Sequence, residues 1–240
     1  MGWHKLTKGS SLGRVRKLGL KPRTMFDVGV ATGTKGYYGI FEDVRYVLID
    51  PLEESVPFMD EIARTYPGSL AIQAAAGPEP GEADFVVSPK LSGSSFLLKP
   101  AGAEVRKTPV VTLDGLVQEH ALEGPFVIKL DVQGYELEVL KGAVRTLEQT
   151  EILITEVSLW ADRKGRGMAK PADLIGWLDA HGFALYDISS VARRTVDGAM
   201  TELDLVFCAA ASPIRTVRDY RTVEESQALA EASRRSFGLD

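Results

Sequence analysis

The chain is poor in the residues that build covalent or metal-held frameworks. Cys208 is the only cysteine among 240 residues, so an internal disulfide and any multi-cysteine metal site are excluded. This usage fits a reducing compartment. Three histidines occur, His4, His120 and His181, and none has a metal-ligand spacing. His120 and His181 close predicted helices, where a cation favours the dipole. No uninterrupted apolar run approaches the roughly 18–20 residues of a membrane span. The basic segment Met1–Arg23 also lacks the apolar core of a secretory signal. A net charge of -5 argues against a broadly basic nucleic-acid surface, although it leaves a local basic patch open. The expectation is a cytoplasmic enzyme without nucleic-acid or membrane partners.

What is present is an ordinary globular composition, 45% hydrophobic and 25% charged, enough for one large domain. Short β-rich apolar runs alternate with helical stretches, the pattern of a mainly parallel sheet covered on both faces. Leu12, Val15, Leu18 and Leu20 predict a short amphipathic helix ahead of the first strand. Strands are predicted at Thr24–Val30, Val44–Ile49, Leu70–Ala75, Phe126–Leu130, Glu151–Val157, Phe183–Ile188 and Leu203–Ala209. Helices are predicted at Thr34–Phe41, Glu53–Thr65, Leu116–His120, from Gly134 to Leu147, and at Pro171–His181. After the turn cluster Gly77–Gly81, a small antiparallel excursion is expected at Ala83–Ser88 and Ser95–Leu98, with Val110–Leu113 leading onward. The expected organisation is a helical lead-in (1–23), one α/β domain (24–211) and a partly helical tail (212–240).

Open parallel sheets bind ligands beyond the carboxyl ends of their strands, where strand order reverses. Gly29 and Gly33 let the backbone after the first strand turn sharply and approach a ligand, with Ala31 and Thr32 between them. Thr32 and Thr34 stand where a helix N-cap is expected. The spacing Asp-x-Gly-x-x-x-Gly departs from the dinucleotide fingerprint Gly-x-Gly-x-x-Gly. Asp27 would repel a pyrophosphate and attract a cationic sulfonium ligand with an amino-acid tail. Asp50 ends the second strand 23 residues later, where an acid can accept both ribose hydroxyls. Ala74-Ala75-Ala76-Gly77 fits either an adenine lying against the backbone at Ala75 or close helix–sheet packing.

The block Ile128-Lys129-Leu130-Asp131-Val132-Gln133-Gly134-Tyr135-Glu136-Leu137-Glu138-Val139-Leu140-Lys141-Gly142-Ala143 resembles the FkbM family of methyltransferases. Further matches are Asp27–Gly33, Val111–Leu116 and Ile154–Val157, so the likeness spans roughly Thr24 to Leu159. The resemblance implies a Rossmann-like, seven-stranded class I methyltransferase fold, S-adenosylmethionine as donor, and O-methylation of a sugar or natural product. Two departures stand out. The family often has Asn after the first glycine pair, where this chain has Thr32 or Ala31, and usually has Glu in place of Gln133. An acid–base role is therefore not carried over to Gln133.

Methyl transfer from a sulfonium is an in-line displacement, so the acceptor oxygen must be held near the methyl and relieved of its proton. Asp131 and Glu156 end the predicted strands nearest that position. Either suits a general base or a ligand of a divalent cation, though no histidine–carboxylate cluster supports a metal. Asp131 also falls within reach of the donor. Lys129 shares a strand face with Asp131 and needs a buried partner, Asp131 or Glu156. Glu136 sits in the first helical turn after Gly134, favouring its dipole. The loop Trp160–Gly167 would overhang the site with its cations and glycines, and Ser92-Gly93-Ser94-Ser95 offers hydroxyls. The partner is then a hydroxylated small molecule, and a homo-oligomer stays open. The rival readings are an NAD(P)-dependent oxidoreductase, disfavoured by the glycine spacing and the lack of a Tyr-x-x-x-Lys pair, and a non-catalytic adenosine-ligand subunit.

Overall fold

Two strands without a single exposed residue, Thr24–Val28 and Phe126–Leu130, form the centre of the computed structural model, which describes residues 9–88, 94–96, 104–160, 168–215 and 222–237. The chain divides into two units, Met1–Ala210 and Ala211–Asp240. In the first, helix α1 (Ser10–Lys17) is followed by β1 (Thr24–Val28) and β2 (Arg45–Ile49). A 3-10 turn, Glu53–Ser55, leads into α2 (Val56–Thr65), then β3 (Leu70–Ile72), β4 (Ala75–Ala76), β5 (Gly81–Val87) and β6 (Glu104–Val111). Next come α3 (Leu113–Glu119), β7 (Phe126–Leu130), α4 (Glu136–Lys141), α5 (Val144–Leu147) and β8 (Thr150–Ser158). Helix α6 (Pro171–Ala180) and the hairpin β9 (Phe183–Arg193) and β10 (Met200–Ala209) complete this unit. In the second unit, α7 (Val223–Ser236) is opened by a capping box of Thr222 and Glu225 and buries no residue.

The main sheet runs β3-β2-β1-β7-β8-β10-β9, parallel except for β10, which is antiparallel to both neighbours. This is the expected α/β, Rossmann-like, seven-stranded architecture. Strands buried on both faces read as near-continuous apolar runs, and Phe26, Val28, Val47, Ile49, Ile128 and Phe207 join one core. Helix α1 docks on the sheet-edge strand β9 by burying Leu12 and Val15, while Ser11 and Arg14 bond the Asp187 carboxylate. No helix among the described residues is long and apolar enough to cross a membrane.

Four local expectations are corrected. No helix forms over Thr34–Phe41; the segment is a run of turns, with Gly36 at φ +105° and Gly39 at φ +73°. These left-handed angles break a helix and send Tyr37 and Tyr38 inward, where the Tyr37 hydroxyl meets Ser189 Oγ at 2.8 Å. The strand expected over Leu70–Ala75 ends at Ile72, and Ala75–Ala76 joins a second sheet of order β4-β6-β5. In that sheet β5 pairs with β6, whereas Ser95 makes only an isolated bridge to Val86; Leu97–Leu98 lie outside the described residues. The helix expected to run to Leu147 is split into α4 and α5. Asp114 accepts the amides of Arg145 (3.1 Å) and Thr146 (2.7 Å) and so starts a new helix there.

The turn after β1 and the end of β7 come closer than a side chain permits. Gly29 has φ +81°, and a Cβ on it would lie 1.9 Å from the Asp131 backbone oxygen. Gly29→Ala is therefore expected to destabilise the protein by at least ~2 kcal/mol, from left-handed strain plus overlap. Guanidinium unfolding checks this, and an unchanged midpoint would contradict the packing.

Candidate active site

Strand order reverses between β1 and β7, and a cavity of about 400 Å³ opens beyond their carboxyl ends. One end is shaped by β2. Asp50 is 4% exposed; its Oδ2 accepts the Ala31 amide at 2.8 Å and its Oδ1 the Leu52 amide at 2.9 Å. Burial pushes the Asp50 carboxyl above its ordinary value, and these amides oppose the shift. Gly29, Ala31, Ala74, Ala75 and Ala76 form the adjoining small-residue wall.

The other end carries the acids. Asp131 follows β7, Glu156 lies on β8, and the β9–β10 hairpin adds Glu202. Gln133 Nε2 donates to Asp131 Oδ1 at 3.0 Å and to Glu156 Oε2 at 3.1 Å. Burial, then the charges of Asp131, Glu202 and Asp204, raise the Glu156 carboxyl to about 9, so Glu156 holds its proton at neutral pH. An aromatic flank of Phe85, Phe96 and Tyr135, with ring centroids 5.1 Å and 4.9 Å apart, packs on Leu52, two residues beyond Asp50.

Beneath this end, Asp27 and Lys129 stand side by side across β1 and β7. Lys129 Nζ lies 3.0 Å from Asp27 Oδ1 and 3.6 Å from Asp131 Oδ2, and donates to the Gly29 carbonyl at 3.0 Å. Burial disfavours the ammonium, but the neighbouring carboxylates, Asp27 foremost, outweigh it and hold Lys129 above its ordinary value. The second Asp27 oxygen accepts the Tyr38 hydroxyl. Glu136, 5% exposed, accepts the amides of Val132 and Gly134, each at 3.1 Å. Burial moves it to about 7.

Of the residues picked out from the sequence, Gly29, Ala31, Asp50, Ala75, Asp131 and Glu156 border the cavity. Asp27 and Lys129 do not: both are buried beneath it, and Lys129 pairs with Asp27 and Asp131 rather than with Glu156. Thr32 is exposed, and neither it nor Gly33 reaches the wall. With no helix behind the turn, Thr32 and Thr34 cap nothing. Ser94 is on the wall, whereas Ser92, Gly93 and Ala161–Gly167 lie outside the described residues. Trp160 Nε1 donates to the Met200 carbonyl at 2.8 Å. No metal-holding group of three acids, histidines or cysteines occurs among the described residues. Sequence reading missed Tyr38 and Glu202. Tyr38 falls in a segment read as helix, and Glu202 reaches the site only through antiparallel pairing of β10 with β8.

A family model described as the Methyltransferase FkbM domain matches residues 38–185, more than half of the chain. The match begins after the glycine turn, so Asp27–Gly33 lies outside it. Hexuronic acid methyltransferase AglP from Haloferax volcanii is 26% identical over 141 residues, spanning 58% of this chain and 58% of that protein. Among solved structures, magnesium protoporphyrin IX methyltransferase from Synechocystis PCC 6803 aligns with a TM-score of 0.43 at 12% identity, over 82% of this chain and 76% of that one. A Burkholderia thailandensis 1,6-didemethyltoxoflavin-N1-methyltransferase gives 0.43 at 11% identity, over 83% and 77%.

Two measurements test these electrostatics. Glu156 ionises near 4.5 when unfolded and near 9 when folded. Between those values the folded state binds the extra proton, so unfolding free energy falls as pH rises from about 5 to about 9. Glu156→Gln should flatten that slope in denaturant titrations run across the range; an identical slope in the variant refutes the assignment. Lys129→Met leaves Asp27 buried with its charge unpaired, and should cost about 3–5 kcal/mol. Adding Asp27→Asn should recover part of that loss, measured as a double-mutant cycle.

Proposed function

Since the chain belongs to the FkbM methyltransferase domain family, we propose that it transfers a methyl group from S-adenosylmethionine to a hydroxyl oxygen of a sugar or related natural product. The observation that carries this reading is the polarity of the cavity: one backbone-oriented carboxylate, Asp50, at one end, and the Asp131–Glu156 pair at the other. A cavity of about 400 Å³ is in the range of small-molecule sites. The relative named for hexuronic acid methylation supports a sugar acceptor.

The residues present fit the donor. Both Asp50 oxygens are aimed by amides, which leaves lone pairs for a ribose diol. Ala74–Ala76 keep a wall free of bulk where a flat base would lie. Bound there, S-adenosylmethionine supplies an electrophilic methyl on a positively charged sulfur. Asp131, beside the Lys129 ammonium, would take the acceptor's hydroxyl proton as the methyl leaves sulfur and bonds to the oxygen. Glu156, protonated, donates a hydrogen bond that orients the acceptor.

Calorimetric titration with S-adenosylhomocysteine, with NAD and NADP as controls, tests the donor. Binding of a nicotinamide cofactor alone overturns the reading. Asp50→Ala should weaken S-adenosylhomocysteine binding by at least ~10-fold, the loss of hydrogen bonds to a charged acceptor. Asp131→Ala should leave that affinity within a few-fold yet abolish most turnover, followed by product mass over a panel of hydroxylated sugars. Equal loss of both properties would make Asp131 a binding residue instead.

A further inference from the structure

Gln133 occupies an unusual place for a neutral side chain. It lies between two carboxyl groups of the acceptor end and spends its amide on both, with Nε2 3.0 Å from Asp131 Oδ1 and 3.1 Å from Glu156 Oε2. An amide nitrogen carries two hydrogens and no lone pair for an electrophile, so the gap between the acids is filled by a donor. The surroundings are built to hold it there. Gln133 has φ +56°, a left-handed angle costly for a side-chain-bearing residue. The peptides on either side are clamped by buried Glu136 through the amides of Val132 and Gly134. Ser95 Oγ donates to the Gln133 carbonyl at 3.3 Å. Strain maintained by several independent contacts marks a position that the fold over-determines.

A divalent cation bound by Asp131 and Glu156 would need to lie between their oxygens and collect further oxygen ligands. We infer that the Gln133 amide takes that place, acting as a positioning residue that holds Asp131 and Glu156 in register without a metal ion. Lys129 supplies the nearby positive charge, on the far side of Asp131. The geometry stands whatever the reaction, and its catalytic meaning rests on the methyl-transfer reading above. The alternative is a rotated amide that presents Oε1 to a cation held by both acids.

Manganese binding separates the two without knowledge of the acceptor. The full chain, with and without saturating S-adenosylhomocysteine, is titrated with MnCl2 by calorimetry. The wild type should show no saturable binding up to about 1 mM, the weak end of oxygen-ligand sites. Gln133→Glu adds a third carboxylate at the same point and should bind manganese at least ~10-fold more tightly, and Glu156→Gln in that background should reverse the gain. Saturable wild-type binding that Asp131→Asn removes, or no gain in Gln133→Glu, overturns the inference. Should Gln133→Glu fail to fold, thermal unfolding of the wild type and Asp131→Asn decides. Equal melting temperatures with and without manganese uphold it, and stabilisation of the wild type alone defeats it. Because S-adenosylhomocysteine binding is recorded separately, loss of the donor reading is seen as a different result.

Discussion

The site depends on one buried ion pair, Lys129 with Asp27, facing each other across the two central strands. Neither charge is tolerable alone in an interior this apolar, and each organises something beyond its partner. Lys129 also bonds the carbonyl of Gly29 and lies under Asp131, joining the turn after β1 to the end of β7. Asp27 receives the Tyr38 hydroxyl and so anchors the glycine-containing turns that replace a helix there. The close passage of Gly29 against the Asp131 backbone completes the junction. The two ends of the cavity are thus held in one frame by buried contacts.

Around that frame the acids are differentiated by their surroundings. Asp50 is held by backbone amides, Asp131 by the Lys129 ammonium and the Gln133 amide, and Glu156 by the Gln133 amide, among other carboxylates. Like charges that cannot all ionise in a poorly solvated pocket divide into those that keep a proton and those that lose it. The proton on Glu156 follows from its burial first, and then from the neighbouring Asp131 and from Glu202 and Asp204, which arrive on β10.

Much of the fold was legible in the sequence because parallel strands buried on both faces are written as short apolar runs. Phe126–Leu130 was bounded correctly for that reason, and Thr24–Val28 nearly so. The errors fall where long-range contact overrides local pattern. Glu104–Pro109, polar and given no element from the sequence, belongs to the middle strand of the small sheet because β4 and β5 flank it. The helix after Gly134 was seen as continuous because Asp114, which starts α5, lies some thirty residues earlier in the chain. Tyr38 carried no local signal, since its partner is on a neighbouring strand.

By itself the sequence determined the alternation of strands and helices, the glycine turn after the first strand, the acids at the strand ends and the family block from Ile128 to Ala143. These are local properties, carried by residue type and spacing along one segment. Only the tertiary structure decided which acids share a cavity, that Asp27 and Lys129 lie beneath it and that Gln133 bridges Asp131 to Glu156. Strand order, register and burial set those distances. Hydrogen bonds and charge interactions act over a few ångströms of space, whatever the separation along the chain.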